Sequence, residues 1–301
     1  MKKKILIICG PTSSGKTSLA IKCAKSLNSE VISADSLYIY KGLDIGTAKP
    51  TECEMEGVMH HLIDVVLPTE TFTVSQYKSL AELIISKLHE QNKIPVVCGG
   101  TGFYINSLLY DLSYGKGEGD LKVREKYKTL AQSHGNKYVY DILSKVDPES
   151  AKTLHFNDLK RVIRALEIYE SGCKKSDIKD DLTPKYDYLA LAIDYPREQL
   201  YDRINKRVDQ MLDLGIVEEV KKLINNGITI ENQCLQGIGY KEIYSYLMGE
   251  ISLENAIELI KLNTRHYAKR QITFFKRLPN LIWIKPEECD NLVEKMLEKL
   301  W

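Results

Sequence analysis

Two hydrophobic rhythms run along this chain. Residues 4–9 form a short continuous apolar run behind a basic lead-in, and residues 95–98 form another. Uninterrupted apolar runs of this length suit strands buried on both faces of a parallel sheet. Residues 30–34 read as a further strand, ending at Asp35. Between these lie stretches of helical character. Residues 18–27 have helical composition, and Tyr77, Leu80, Ala81, Ile84, Ile85 and Leu88 share one face of a helix predicted over 74–91. Strands alternating with helices predict an α/β fold, a parallel sheet covered by helices on both faces.

The rhythm changes at the Gly-rich stretch 113–119. From 120 to 173 the pattern is helical and charged without a convincing strand, and residues 174–184 are polar and turn-rich. Residues 188–193 then resume the strand pattern. Leu200, Ile204, Val208 and Met211 mark the inward face of a helix over 200–213, closed by Gly215. These patterns predict an α/β core built from residues 1–118 and 185–301, interrupted by an all-helical insertion over 119–184.

Composition narrows the class without naming a function. A chain of 301 residues, 44% hydrophobic and 28% charged, suits a soluble globular protein of one large or two modest domains. No apolar run approaches the roughly 18 residues needed to cross a bilayer, so no membrane association is expected. The first residues imitate a signal peptide, but their apolar run is too short and leads straight into Gly10-Pro11. A buried first strand is the better reading. Seven cysteines, scattered and without a C-x-x-C pair, argue against a zinc site or a disulfide framework and fit a reducing cytoplasm. The net charge of +1 conceals a basic segment, residues 261–277, with six Lys or Arg and no acid.

The chemistry starts at Gly10-Pro-Thr-Ser-Ser-Gly-Lys-Thr17, a complete G-x-x-x-x-G-K-[ST] motif between a predicted strand and a predicted helix. Glycines let the backbone wrap phosphate oxygens, and the helix N-terminus adds positive potential. Lys16 supplies a point charge and Thr17 a hydroxyl for Mg²⁺. This makes the fold P-loop NTPase-like. The strand over 95–98 ends in Gly99-Gly-Thr-Gly102, not in the aspartate of a hydrolytic P-loop enzyme. That loop brings Thr101 toward a second phosphate or a substrate, or serves close packing alone. Asp35 stands at the carboxyl edge of the sheet, where ligands bind, or else caps whatever follows it. Arg203 and Arg207 lie one helical turn apart, which suits either a bidentate grip on a diphosphate or a solvated face. In 261–277, Arg265, Lys269 and Arg270 are interleaved with Tyr267, Phe274 and Phe275, a pattern suited to RNA or to core packing. Lys160, Arg161 and Arg164 carry the same ambiguity.

Read together, these segments resemble the tRNA dimethylallyltransferase (tRNA isopentenyltransferase) family. The matching stretches are the phosphate loop, Asp35-Ser36 with Tyr40, Gly46-Thr-Ala-Lys-Pro50 and His60-His-Leu-Ile-Asp64. Gly99-Gly-Thr-Gly-Phe-Tyr104, residues 161–167, Gln236 with Gly237-Ile-Gly-Tyr-Lys-Glu242, and Thr264-Arg-His-Tyr-Ala-Lys-Arg-Gln271 follow in family order. The resemblance implies transfer of a dimethylallyl group from dimethylallyl diphosphate to the adenine just 3′ of the anticodon. Asp35 is implied as general base, with Thr101 at the reacting centre and Arg207 on the departing diphosphate. Gly10, Thr12, Ser13, Ser14, Gly15, Lys16, Thr17 and Arg203 are implied to cradle that diphosphate with Mg²⁺. The insertion is implied to grip the anticodon stem-loop. Contacts to tRNA are implied for Ser36, Leu37, Tyr38, Arg124, Lys160, Arg161, Arg164, Gly239, Tyr240, Lys241, Arg265, Lys269 and Arg270.

Three departures stand out. Tyr38 replaces the family's usual glutamine, Phe274-Phe275 replaces a tryptophan–phenylalanine pair, and the sequence after Gly115 lacks a proline-bearing turn. The C-terminal zinc finger of the family's eukaryotic members is not found, which favours a bacterial-type enzyme; a cytoplasmic location and a monomer are expected as well. The rival readings are an ATP-dependent small-molecule kinase, an adenylate isopentenyltransferase acting on free nucleotides, and a non-enzymatic RNA-binding protein.

Overall fold

The computed structural model describes residues 2–112 and 120–289. Six parallel strands form one sheet: β1 (Lys4–Cys9), β2 (Val31–Ser33), β3 (His60–His61), β4 (Val96–Gly99), β5 (Asp187–Ile193) and β6 (Leu281–Ile284), in the order β3-β2-β4-β1-β5-β6. Central β1 explains its own composition. Ile5 to Cys9 are at most 1% exposed because β4 and β5 flank the strand and helices cover both faces, so no position can be polar. Burying each such aliphatic side chain is worth roughly 1.5–3 kcal/mol.

The α-helices among the described residues are α1 (Lys16–Ser26), α2 (Glu52–Met55), α3 (Val74–Glu90), α4 (Gly102–Leu109), α5 (Leu121–His134), α6 (Asn136–Val146), α7 (Pro148–Lys152), α8 (Leu159–Glu170), α9 (Arg197–Asp213), α10 (Ile216–Asn225), α11 (Tyr240–Leu247) and α12 (Leu253–Phe275). Helix α3 opens on a capping box, in which Thr73 and Gln76 satisfy each other's backbone N–H groups. It buries Tyr77, Ala81, Ile85 and Leu88, and the Tyr77 ring stacks on Tyr104 of α4 at 3.9 Å between centroids. Helix α9 buries Leu200, Ile204, Val208 and Met211, the four positions its spacing predicts. Leu200 and Ile204 pack with Ala268 of α12, and this contact fixes α9 beside the carboxyl edge of the sheet.

The chain divides into two compact units: residues 1–109 with 184–301, and residues 110–183. The helical unit begins at Tyr110, ahead of the expected 119. Asp111 N–H donates to the Asp181 carbonyl at 3.2 Å, so the two ends of the excursion pair with each other. The Gly-rich stretch 113–119, read as the boundary, lies outside the described residues. Within the helical unit, Tyr127, Val139, Leu143, Val162 and Leu166 form a separate core. Asp147 caps α7 there. Burial opposes its charge, but N–H groups of Ser150 and Ser176, each at 3.1 Å, hold its carboxyl down at about 2.

Two strands went unread. Strand β3 has only two residues and a half-buried pattern, and β6 is partly exposed, so neither carries the apolar signature of a central strand. Helix α1 starts at Lys16, two residues ahead of its helical composition, because phosphate-loop residues form its first turn. The cysteines form no disulfide. Cys9, Cys23, Cys98 and Cys234 are buried as small apolar residues, whereas Cys53 is exposed.

Candidate active site

The site lies at the carboxyl edge of the sheet, where the loops after β1, β2 and β4 converge. Gly10, Ser13 and Gly15 take positive φ values of 122°, 61° and 86° and curl the first loop into a cradle. Gly15 is the N-cap of α1 and supplies no side-chain cap, so the first N–H groups of the helix face an incoming anion. Lys16 Nζ donates to the Pro11 carbonyl at 3.4 Å. Burial lowers its pKa, nearby Cys98 and Asp35 oppose that shift, and Arg207 adds to it. An anion beside this ammonium would relieve the cost of burying it. The hydroxyl oxygens of Ser13 and Ser14 are buried without a partner among the described residues.

Helix α9 delivers two arginines onto this loop. Arg203 Nε donates to the Ser13 carbonyl at 2.8 Å and its guanidinium lies 4.8 Å over the Tyr195 ring. Arg207 donates to Thr12 Oγ1 at 3.3 Å and to the Thr47 carbonyl at 2.6 Å, while its Nε is buried without a partner. The arginine face opposite the apolar stripe of α9 is therefore the wall of a site.

Arg207 separates two cavities. One, of about 580 Å³, is lined by Ser13, Gly15, Lys16, Thr17 and Arg203 among others, with Glu54 and Glu56 also on its wall. The other, of about 450 Å³, is lined by Thr12, Asp35, Ser36, Thr47, Tyr267 and Arg270 among others. Both include Arg207. A cradle built on the phosphate loop with Lys16 and Arg203 thus adjoins a chamber that holds one carboxylate. Asp35 Oδ1 accepts the Leu37 N–H at 3.0 Å, which fixes the turn after β2 and leaves the carboxylate on the chamber wall. The chamber's far wall comes from α12. Tyr267 there has its hydroxyl pushed up to about 12 by burial and by the charge of Asp35.

The sequence model of the IPP transferase family matches residues 38–278 of this chain. The chain belongs to the IPP transferase family. A tRNA dimethylallyltransferase of Acetivibrio thermocellus is 47% identical over 98% of this chain and 96% of the relative. Another from Alkaliphilus oremlandii is 47% identical over 99% of this chain and 97% of that one. Among solved structures, the tRNA isopentenylpyrophosphate transferase of Bacillus halodurans superposes with a TM-score of 0.74 at 40% identity, covering 100% of this chain and 97% of that one. A eukaryotic dimethylallyltransferase described as acting on tRNA superposes with a TM-score of 0.80 at 32% identity, over 99% of this chain and 77% of the other.

In this IPP transferase the expected site residues separate into groups. Ser36, Leu37, Gly239, Lys241 and Arg270 line the Asp35 chamber. Tyr38 does not. Its hydroxyl donates to the Ala48 carbonyl at 2.8 Å and its ring lines the phosphate-loop cavity, so burial there raises its pKa and removes it from the expected base contact. Tyr240 is fully buried and donates its hydroxyl to Glu219 at 2.7 Å, so its side chain cannot touch RNA. Thr101 lines neither cavity. Its Oγ1 accepts the Ser36 N–H at 3.1 Å, behind the Asp35 turn. Arg265 bonds Asn205 of α9 at 2.8 Å, and Lys269 is exposed. In the helical unit, Arg124 and Arg164 both reach the buried Glu167, at 2.5 and 3.3 Å, whereas Lys160 and Arg161 are exposed and Arg161 lies 3.3 Å from Asp158.

Sequence reading missed the supports of the site. Glu219 of α10 accepts N–H groups of Asp44, Ile45 and Gly46 at 2.9, 2.8 and 3.0 Å, holding the loop whose Thr47 carbonyl aims Arg207. Buried Lys49 ties the same loop together through Asp44, Asp64 and the Tyr40 carbonyl. Glu242 holds Gly239 N–H at 2.8 Å and Asn263 at 2.7 Å. The available signal was Glu219 itself, an acid on the buried face shared by Ile216, Val220 and Leu223.

Proposed function

We propose that this chain transfers a dimethylallyl group from dimethylallyl diphosphate to the exocyclic amine of the adenine immediately 3′ of the anticodon in tRNA, releasing diphosphate. The observation that carries this reading is the pair of cavities meeting at Arg207, one built on the phosphate loop with Lys16 and Arg203 and one whose single carboxylate is Asp35. A phosphate loop facing a chamber with a single carboxylate suits displacement of diphosphate by an amine better than ATP hydrolysis.

The diphosphate occupies the curled loop, against the α1 N-terminus, Lys16, Arg203 and Arg207. The adenine amine forms a bond to the prenyl C1 as the C1–O bond breaks, and the electron pair leaves with diphosphate. Fixed cations stabilise the charge that grows on that leaving group. Asp35 takes the proton lost by the amine, a role suited to a carboxylate beside the acceptor. Arg207, touching both cavities, stands where the bond to the leaving group breaks.

The residues fit Mg²⁺ in one way. Among the described residues no cluster of three or more His, Cys, Asp or Glu side chains forms a cage. Thr17 lines the cradle beside the buried Ser13 and Ser14 hydroxyls. Mg²⁺ bound by one or two protein oxygens plus substrate phosphates is the usual arrangement for such sites, and Thr17 would be its ligand here. When bound, Mg²⁺ neutralises charge on the diphosphate.

The target base leaves its stack to enter the chamber, where Leu37, Ile238 and Tyr267 offer apolar and aromatic surface. The helical unit, with exposed Lys160 and Arg161, takes the anticodon stem-loop. No helix of the described residues is long and apolar enough to cross a membrane, and the reading includes a cytoplasmic monomer. The test offers labelled dimethylallyl diphosphate and Mg²⁺ to the protein with unmodified tRNA and with free AMP. Label on tRNA alone supports the reading. Label on AMP alone moves the chain to free-nucleotide chemistry, and label on neither overturns prenyl transfer.

A further inference from the structure

The last residue of the Thr264 to Gln271 block is spaced along a basic segment, yet its side chain faces inward. Gln271 is 5% exposed. Its Oε1 accepts the Thr12 N–H at 2.8 Å and its Nε2 donates to the Gly100 carbonyl at 3.0 Å. The partners settle the amide's orientation, because a backbone N–H only donates and a carbonyl only accepts. Thr12 belongs to the phosphate loop, and its Oγ1 receives Arg207. Gly100 precedes Thr101, whose hydroxyl holds the Ser36 N–H in the turn that carries Asp35. One side chain therefore joins the loop that grips the donor to the loop that supports the acceptor turn.

We propose that Gln271 is a positioning residue that sets the spacing between the diphosphate cradle and the Asp35 turn. This rests on the prenyl-transfer reading given above. The chemistry requires glutamine at this place. A donor and an acceptor must sit on one short planar group, with a stem long enough to cross from α12 to both loops. Glutamate keeps the acceptor for Thr12 and sets an oxygen against the Gly100 carbonyl. Methionine keeps the length and loses both bonds. Space around the amide is equally restricted: a Cβ on residue 100 would lie 2.2 Å from Nε2, so only glycine there lets the amide approach. Helix α12 also contributes Thr264, Tyr267 and Arg270 to the acceptor chamber, so Gln271 ties both loops to the element that receives the base.

Misplacing reacting groups by about 1 Å costs on the order of 100-fold in rate. The test measures single-turnover prenyl transfer at saturating tRNA and dimethylallyl diphosphate with Mg²⁺, for wild type, Gln271→Met and Gln271→Glu. Affinities for both substrates and the thermal midpoint are measured alongside. The expected result is a rate lowered roughly 100-fold in Gln271→Met, with tRNA affinity within about threefold of wild type. For Gln271→Glu, the ratio of variant to wild-type rate should rise as pH falls, because the protonated acid again donates to Gly100 while accepting from Thr12. Taking the ratio cancels any pH dependence common to both proteins. A Gln271→Met rate within about threefold of wild type overturns the inference, as does a Gln271→Glu ratio flat with pH. If Gln271→Met does not fold, the Gln271→Glu ratio decides alone. Wild-type protein that transfers no label overturns the prenyl-transfer reading and this inference with it, whereas an active wild type with equally active variants overturns only the inference.

Discussion

Asp35 and Lys16 lie in the two cavities that share Arg207, and substitutions separate the roles proposed for them. Asp35 sits on the acceptor chamber, so Asp35→Ala should lower the single-turnover rate by roughly 10²–10⁴-fold, the usual contribution of a general base. Binding of tRNA, followed by filter retention, should stay within about twofold. Lys16 lines the cradle. Lys16→Ala should weaken dimethylallyl diphosphate binding by roughly 1.5–3 kcal/mol, the range for a hydrogen bond to a charged group, as measured by calorimetry. An unchanged affinity would place the diphosphate elsewhere. A third residue-scale expectation concerns pH. The Asp147 carboxyl is lowered from 3.8 to about 2, so its contribution to stability is complete above pH 3.8 and is lost as pH falls toward 2. By linkage it loses about 1 kcal/mol between pH 5 and pH 3. The stability advantage of wild type over Asp147→Asn, read from urea midpoints, should shrink by that amount over this interval.

At the scale of elements, the site is a set of loops braced by helices: α9 and α12 line its cavities, and α10 supports one loop from behind. Helix α9 carries an arginine face because its other face, from Leu200 to Met211, is buried. That division was legible, since an amphipathic helix writes both faces into one periodic pattern. The loop 44–47 was not legible in this way. It has no periodicity, and its shape comes from Glu219, far away in sequence. Glu219→Gln places an amide N–H₂ against backbone donors. It should destabilise the fold by roughly 1–3 kcal/mol and lower kcat more than it raises KM for tRNA, because Thr47 no longer aims Arg207. Denaturant midpoints and steady-state kinetics check both parts. A loss of stability with unchanged kcat would make the loop a scaffold only.

At the scale of the whole molecule, the core closes on itself where the helical unit departs. Lys185 N–H donates to the Leu109 carbonyl at 2.8 Å, so the two ends of the core are neighbours. Replacing residues 110–183 with a short Gly/Ser linker should therefore leave a folded core that binds dimethylallyl diphosphate. It should lose tRNA binding by at least tenfold if the helical unit grips the stem-loop. Retained tRNA affinity would return that role to the basic helix α12. Arg124 and Arg164 illustrate how tertiary context redirects a basic residue. Both reach the buried Glu167, so of the expected basic contacts in this unit Lys160 and Arg161 are the exposed ones.

By itself the sequence determined the sheet's central strands, the phosphate loop, the faces of α3 and α9, and the family. These features are local. They depend on apolar periodicity, on glycines that permit a curled backbone, and on residue types at short fixed spacing. Only the tertiary structure decided that Tyr38 turns to the phosphate-loop cavity, that Tyr240 is core, that Thr101 bonds Ser36, and that Gln271 joins two loops. Each of those outcomes depends on a hydrogen-bond partner elsewhere in the chain, from 10 residues away for Tyr38 and Ala48 to 259 for Thr12 and Gln271. A buried polar group must find its partner wherever the fold brings one, and no local pattern in the chain encodes that meeting.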